Sequence, residues 1–254
     1  MEALEAQITT TASDTTATHR GGENRAVPPV TATASGRADA LRARDREGDR
    51  ARASGSATIK RGMDLLLSVL LLVATAPVSL LATLAIRLTD GGPAIYWQRR
   101  VGRHGREFWF PKFRSMQDGA EHANADLQAH ADWPESITFK MRNDPRVTSV
   151  GRIIRTLSID ELPQLWCVLK GDMSLVGPRP PLPSEVAWYG AEAHRRLEVK
   201  PGLTCIWQVN GRSLIPFEGQ LALDLRYIRE QTVWLDIKLL LRTIPAVVSC
   251  RGAY

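Results

Sequence analysis

The strongest feature of the hydropathy pattern is a run of about 22 uncharged residues at positions 65–86. A helix of that length can cross a bilayer. Pro77 falls near the middle of the run and basic residues flank both ends. The pattern therefore favours a re-entrant helix that breaks at Ala76 and Pro77 and returns to the face it entered. A simple transmembrane span is the alternative that length alone would predict.

Residues 1–58 show no such pattern. They are rich in alanine, threonine, arginine, glycine and serine, and they almost lack large apolar side chains. A segment of this composition cannot bury enough surface to offset the entropy lost on ordering, which predicts a disordered N-terminal tail. No apolar signal-peptide region follows Met1, so we expect no export signal there.

Beyond residue 90 the apolar positions form shorter patterns. They predict strands at residues 94–98 and 108–116 and helices at 189–197 and 233–248. Residues 118–134 are polar and are predicted to form a surface insertion. The helix at 233–248 alternates apolar and charged residues, which makes it amphipathic. It either packs on the core or lies at the membrane interface.

The formal net charge is +6, from 33 basic and 27 acidic residues. The first 58 residues hold about as many acidic residues as arginines, so the basic excess lies in the remainder of the chain. Such an excess suits a phosphorylated substrate, a nucleic acid or an acidic membrane surface, and an ordinary basic surface would also produce it. The sequence has no recognisable nucleic-acid-binding motif, so we expect no nucleic acid partner.

The three cysteines are Cys167, Cys205 and Cys250. They are widely spaced and odd in number, and they form no metal-binding or redox motif. This usage indicates reduced thiols in a cytoplasmic setting.

The candidate chemistry lies in the stretch SIDELPQLWCVLKGDMSLVGPRP. Asp160 and Glu161 open its apolar helical pattern, in which Ser158 and Glu161 fit a capping box and Asp160 is an alternative cap. Acidic first turns are common, so capping alone would explain the two carboxylates. Arg155 upstream and Arg179 in a rigid Gly-Pro-Arg-Pro turn change this interpretation. Two carboxylates and two guanidiniums together suit a phosphate-handling site with a divalent metal ion.

The same stretch resembles the signature of the bacterial sugar transferases, which are monotopic polyprenyl-phosphate glycosyl-1-phosphate transferases. The resemblance covers residues 60–254 and includes further motifs: Lys-Arg-x-x-Asp at 60–64, Lys-Phe-Arg-Ser-Met at 112–116, Asp-Pro-Arg at 144–146, Pro-Gly-Leu-Thr at 201–204 and Trp-Gln-Val-Asn-Gly-Arg at 207–212. The chain departs from the family at Ala76, where serine is common, and at Cys167, where asparagine is usual. Neither departure lies among the acids.

The resemblance implies an enzyme that transfers a sugar-1-phosphate from a UDP-sugar to polyprenyl (undecaprenyl) phosphate and releases UMP. Asp160 would be the nucleophile and would form a covalent aspartyl phosphosugar intermediate. Glu161 and Asp160 would hold Mg²⁺, which screens the charge of the diphosphate. The substrate phosphates would be bound by the basic residues of the matching motifs, namely Lys112, Arg114, Arg155, Arg179 and Arg212.

The last residues of the chain resemble the exopolysaccharide-priming branch of the family, whose members start chains with galactose or glucose phosphate. The resemblance places the protein at the bacterial inner membrane with its catalytic domain on the cytoplasmic side, and it leaves room for a homodimer. The alternative function is a non-catalytic, membrane-tethered subunit of a polysaccharide assembly complex. An intact Asp160 and Glu161 argue against that alternative.

The expected architecture has three regions. A disordered tail covers residues 1–58, a re-entrant membrane helix covers 59–90, and a cytoplasmic catalytic domain covers 91–254. We expect an α/β fold, mostly helical, in which a small catalytic domain is mounted on the membrane helix and carries peripheral amphipathic helices.

Overall fold

The computed structural model of the chain describes residues 31–117, 119–120, 137, 141 and 143–250, and for residues 31–54 and Asp90 it describes the backbone alone. The chain divides into two compact units, residues 1–49 and 50–254. The described part of the first unit, residues 31–49, is helical. Residues 1–30 lie outside the described residues, so the disorder expected of the tail stays a prediction.

One long helix, α1 (Thr31–Asp90), contains the apolar run. Its segment Gly55–Thr89 is long and apolar enough to cross a membrane. The helical backbone continues through Ala76 and Pro77, so the break expected there does not interrupt the helix. A proline removes one backbone hydrogen bond but leaves the neighbouring turns intact, and a helix can therefore pass through it. The re-entrant path stays a prediction.

Short elements follow α1 and form the rest of the second unit. The strands are β1 (Ile95–Val101), β2 (Glu107–Phe113), β3 (Ser174–Val176) and β4 (Gly202–Thr204). The helices are α2 (Ser149–Thr156), α3 (Leu165–Lys170), α4 (Pro183–Val186), α5 (Ala191–His194), α6 (Ile206–Asn210), α7 (Phe217–Glu230) and α8 (Val233–Val248). A 3₁₀ helix, Ile159–Gln164, joins α2 to α3. The described chain is mostly helical with little sheet, as the sequence predicts.

The strands form two separate pairs. β1 and β2 make an antiparallel hairpin, with Ile95 opposite Phe113 and Val101 opposite Glu107. Both predicted strands are therefore confirmed, and β1 continues to Val101, three residues beyond its predicted end. β3 and β4 are parallel. Gly202 on β4 approaches so closely that a Cβ on it would overlap the backbone of Gly177, which immediately follows β3.

Two of the other sequence predictions concern helices. The amphipathic helix at 233–248 is confirmed with its predicted bounds as α8. The helix expected at 189–197 consists instead of two short pieces, α5 and the 3₁₀ turn Arg195–Glu198. The surface insertion expected at 118–134 lies almost wholly outside the described residues.

The main core joins the hairpin, α3, β3, α6, α7 and α8. Its fully or nearly buried residues are Phe108, Phe110, Leu165, Cys167, Val168, Met173, Leu175, Val176, Ile206, Tyr227 and Leu239. Leu67 and Leu72 of α1 pack against this cluster from outside. The apolar helix therefore packs on the rest of the second unit as well as being joined to it along the chain.

The start of the apolar segment is also held to the domain by polar contacts. Arg61 donates to the carbonyls of Val168 and Leu169 at 2.6 and 2.8 Å. The carboxylate of Asp64 accepts a hydrogen bond from the backbone N–H of Leu175 at 3.0 Å. These contacts connect the Lys-Arg-x-x-Asp motif to the end of α3 and to β3.

The far end of the apolar segment packs on the same domain. Ala82 and Ile86 lie in a second buried cluster with Ala94, Phe113 and Ile154. Ile86 is only 1% exposed. Both ends of the apolar segment therefore contact residues of the hairpin or of the elements around it.

Candidate active site

A cavity of about 400 Å³ opens between the β1–β2 hairpin, the end of α2, the 3₁₀ helix and the Arg179 turn. All seven side chains that the sequence marks as catalytic or phosphate-binding line it: Lys112, Arg114, Arg155, Asp160, Glu161, Arg179 and Arg212. They come from five separate parts of the chain. The remaining predicted positions, Ala76 and Pro77, lie in α1.

The backbone around the acids differs from the predicted capping box. Ser158 makes no capping hydrogen bond with its side chain, and its φ of 57° is left-handed. It occupies the position after α2 that usually holds glycine, at a cost of roughly 1–2 kcal/mol for an L-residue. The turn that Ser158 makes directs the chain into the 3₁₀ helix, which accommodates Pro163. Asp160 is buried as a result, and Glu161 half-buried.

The apolar helical stretch after the acids is divided between the 3₁₀ helix and α3. Leu165, Cys167 and Val168 form the buried side of α3, whereas Trp166 is 55% exposed. One continuous α-helix after the acids would place Leu162, Leu165, Trp166 and Leu169 on one face. The change from 3₁₀ to α geometry at Leu165 shifts which positions point inward. Cys167, the departure from the family pattern, packs in the core and donates to the Trp109 carbonyl at 3.4 Å.

Asp160 and Lys112 are electrostatically coupled inside the cavity. Burial raises the pKa of the Asp160 carboxyl, and the charges of Lys112 and Arg155 oppose that rise. Burial lowers the pKa of the Lys112 ammonium, and Asp160 and Glu161 oppose that fall. Lys112 is held on β2, where its Nζ lies 5.5 Å from the centre of the Phe110 ring. Buried carboxyl and ammonium groups whose pKa values are shifted in this way are found most often at functional sites.

Arg179 projects from a turn whose backbone is fixed on both sides. The Gly177 N–H donates to Thr204 O at 3.0 Å, and the Gly202 N–H donates to Pro178 O at 2.8 Å. These bonds, together with the prolines on either side of Arg179, confirm the rigid turn that the sequence predicts.

Arg100 is a cavity residue that sequence reasoning missed. It is 4% exposed, and it donates from Nη1 to Pro180 O at 3.0 Å and from Nη2 to Gln98 Oε1 at 2.8 Å. Burial, together with the charge of Arg179, lowers its pKa to about 9. The signal was present in the sequence, because Gln98 and Arg100 share the inward face of β1 at a spacing of two.

Asp144 and Arg146 also line the cavity. Arg146 binds the Asp144 carboxylate through two nitrogens, Nε to Oδ1 at 2.8 Å and Nη2 to Oδ2 at 2.6 Å. The Asp-Pro-Arg motif was matched to the family from sequence, but it was given no role. The bidentate geometry makes this pair a support for the cavity wall.

The carboxylates at the cavity can hold a divalent metal ion only if a substrate supplies further oxygen ligands. The described residues contain no cluster of three or more histidine, cysteine, aspartate or glutamate side chains. Asp160 and Glu161 offer two carboxylates at the cavity. Mg²⁺ is commonly held by one or two carboxylates together with substrate phosphates and water, so these residues fit Mg²⁺ when a diphosphate is bound beside them.

Residues 55–250 match the bacterial sugar transferase family. The chain belongs to that family. The match begins at the residue where the apolar segment of α1 begins, and it includes every residue that lines the cavity. The resemblance inferred from the motifs is thus confirmed.

Individual members of the sugar transferase family are similar over the same region. The chain is 46% identical over 195 residues to the galactosyl transferase CpsE of Streptococcus agalactiae, covering 76% of this chain and 43% of the relative. It is 44% identical over 202 residues to the undecaprenyl-phosphate galactose phosphotransferase of Salmonella typhimurium, covering 77% and 42%. It is 38% identical over 200 residues to the exopolysaccharide production protein ExoY of Sinorhizobium fredii, covering 77% and 88%. The chain therefore spans less than half the length of the first two relatives.

Proposed function

We propose that this sugar transferase moves a sugar-1-phosphate from a UDP-sugar to polyprenyl phosphate and releases UMP, as the first membrane step of exopolysaccharide synthesis. The observation that carries the proposal is the cavity, which is lined by seven basic and four acidic side chains, with Asp160 and Glu161 among the acids. Two anionic substrates require that excess of positive charge. Two relatives, an undecaprenyl-phosphate galactose phosphotransferase and an undecaprenyl-phosphate glucose phosphotransferase, are named for the same type of reaction.

In the proposed mechanism Asp160 attacks the sugar-side phosphorus of the diphosphate. A bond forms between the carboxylate oxygen and phosphorus, the bond from phosphorus to the bridging oxygen breaks, and UMP leaves with that oxygen. A phosphate oxygen of polyprenyl phosphate then attacks the same phosphorus and releases Asp160 as a free carboxylate. The two steps replace one direct displacement between two anions.

The neighbouring side chains support each step by charge. Lys112 and Arg155 favour the ionised form of Asp160, which the attack requires. Arg179, held in its rigid turn, and Arg212 are suited to bind phosphoryl oxygens. Glu161 and Asp160 would hold Mg²⁺, and a bound Mg²⁺ would supply positive charge for the diphosphate.

The lipid substrate requires that the cavity lie close to a membrane, and α1 is suited to hold it there. We propose the re-entrant path for its apolar segment. A straight helix from Lys60 to Ile86 is about 39 Å long, which exceeds the roughly 30 Å of a hydrocarbon core. Both ends nevertheless pack on the one domain, through Arg61 and Asp64 at the start and Ala82 and Ile86 at the end. Ends that meet the same domain favour the same side of the membrane.

We propose that helix α8 packs on the core with one side and lies at the membrane interface with the other. The sequence left these two locations as alternatives, and a single helix can satisfy both. One side is buried through Asp236 and Leu239. The opposite side exposes large apolar residues flanked by Lys238 and Arg242, namely Trp234, Leu241, Ile244 and Val248. An apolar stripe bordered by cations is typical of an interfacial helix.

The test is an assay of UMP release by the purified full chain in detergent, with undecaprenyl phosphate and a panel of UDP-sugars. We expect UMP release with UDP-galactose or UDP-glucose and a requirement for Mg²⁺. No UMP release with any UDP-sugar would contradict the proposal and favour the non-catalytic alternative. The homodimer stays a prediction, which the mass of the purified protein in detergent would test.

A further inference from the structure

Ser158 adopts a backbone conformation that serine seldom adopts. Its φ of 57° and ψ of 22° lie in the left-handed region, where glycine is normally found because it has no Cβ. Four non-glycine residues in the described part of the chain have positive φ, and two of them, Ser158 and Arg212, line the cavity. Strained conformations of this kind concentrate at functional sites.

The turn at Ser158 is held by backbone hydrogen bonds, which do not require a serine side chain. The Ser158 N–H donates to Arg155 O at 2.9 Å, and its carbonyl accepts from the Glu161 N–H at 3.3 Å. Glycine would make both bonds without the strain. The Ser158 hydroxyl makes no capping bond to the 3₁₀ helix and no hydrogen bond to any other residue that the structure describes. The fold alone therefore gives no reason for a hydroxyl at this position.

Ser158 lies close to the proposed reacting groups. Ser158 is half-buried and lines the cavity together with Arg155, Asp160 and Glu161, and only one residue separates it from Asp160. A neutral hydroxyl at this position can donate a hydrogen bond to an anionic oxygen, and it adds no further positive charge to the basic side chains of the cavity. Hydrogen bonds from hydroxyls to anionic oxygens are short and stronger than neutral ones.

We propose that the Ser158 hydroxyl binds the substrate directly, by donating a hydrogen bond to a non-bridging oxygen of the phosphoryl group that Asp160 attacks. This inference rests on the proposed function, and it adds a substrate-binding group that is absent from the predicted set. The bond strengthens as negative charge accumulates on that oxygen during the attack, so Ser158 contributes mainly to kcat.

The experiment compares two substitutions that differ in strain but not in the loss of the hydroxyl. Ser158→Gly removes the hydroxyl and relieves the left-handed strain, whereas Ser158→Ala removes the hydroxyl and keeps the strain. Both variants should lose about tenfold to a hundredfold in kcat/KM for UMP release, with most of the loss in kcat. Ser158→Gly should also melt at or above the wild-type temperature, which excludes misfolding as the cause of its loss.

Thr156→Ala is the matched control. The Thr156 hydroxyl donates to Arg152 O at 2.8 Å on the exposed side of α2, and it does not line the cavity. This variant should keep wild-type kcat and KM, because Thr156 does not line the cavity.

Two results would overturn the inference alone. Wild-type activity in Ser158→Gly would show that the hydroxyl is dispensable, whatever Ser158→Ala does. Equal losses in Thr156→Ala and in the Ser158 variants would show that any lost hydroxyl in this region lowers activity. An inactive wild type would instead overturn the proposed function, and this inference with it, so the two failures are distinguishable.

Discussion

The ammonium of Lys60 lies 2.5 Å from Oδ2 of Asp236 and joins the start of the apolar helix to α8, 176 residues further along the chain. The Tyr227 hydroxyl lies 2.7 Å from the other carboxylate oxygen, and both Lys60 and Tyr227 reach the carbonyl of Val176. Val176 is the last residue of β3, directly before the turn that carries Arg179. This contact therefore links the apolar segment to the wall of the cavity.

Lys60→Met should destabilise the protein by about 3–5 kcal/mol, because Asp236 would remain buried without its cation. Asp236 is fully buried in the structure, and Lys60 is 15% exposed. Chemical unfolding of the full chain in detergent measures the loss. Arg226→Ala breaks an exposed ion pair with Glu230 and should cost less than about 1 kcal/mol. Equal losses in the free energy of unfolding for the two variants would show that the Lys60–Asp236 pair contributes no more than an exposed ion pair.

Asp160→Asn should abolish transfer, because an amide cannot serve as the nucleophile. The wild type incubated with a UDP-sugar labelled in the sugar should retain label after denaturation, and Asp160→Asn should retain none. Asp172→Asn is the control, since Asp172 pairs with Lys170 outside the cavity, and it should retain label as the wild type does. Label bound to Asp160→Asn would show that the covalent intermediate forms on another residue.

The rate of UMP release in a single turnover should fall at both low and high pH, which gives a pH profile with an acid limb and a basic limb. Burial raises the pKa of Asp160 to about 6, and burial lowers the pKa of Lys112 to about 8. Asp160 must be ionised to attack, so the rate should fall as pH drops through the first value. Lys112 must be charged to attract phosphoryl oxygens, so the rate should fall as pH rises through the second.

Lys112→Arg tests the assignment of the basic limb. A guanidinium keeps its charge far above pH 8, so this variant should keep the acid limb and lose the fall at high pH. A basic limb unchanged in Lys112→Arg would assign that limb to another group. Single-turnover release from a UDP-sugar is the right measurement, because its diphosphate does not titrate in this range, unlike the phosphate of the lipid acceptor.

Both ends of the apolar segment should lie on the cytoplasmic side. Single cysteines at Ser56 and Thr89, both exposed, are probed in sealed cells with a membrane-impermeant thiol reagent. Cys167 and Cys205 are buried and burial raises the pKa of each thiol, so Cys250 is the main background site to replace. Both new cysteines should be protected until the cells are lysed. Labelling at position 56 alone in intact cells would establish a spanning helix.

The sequence by itself determined the candidate chemistry and the apolar segment. Asp160, Glu161 and the five basic residues were identified from their motifs, and all seven line one cavity. The apolar run was evident because about 22 consecutive residues without a charge expose apolar surface that is unfavourable in water, whatever the fold. The positions of β1, β2 and α8 followed from apolar periodicity, which depends only on local backbone geometry.

The tertiary structure decided what depends on contacts between distant residues. It brought Arg100 of β1 to the carbonyl of Pro180, and it paired Lys60 with Asp236. It also placed Ser158 in the left-handed conformation in place of a capping box. Periodicity cannot reveal these features, because the burial of a polar side chain is tolerated only when a partner, often far away in sequence, satisfies it. That partner exists only once the chain has folded.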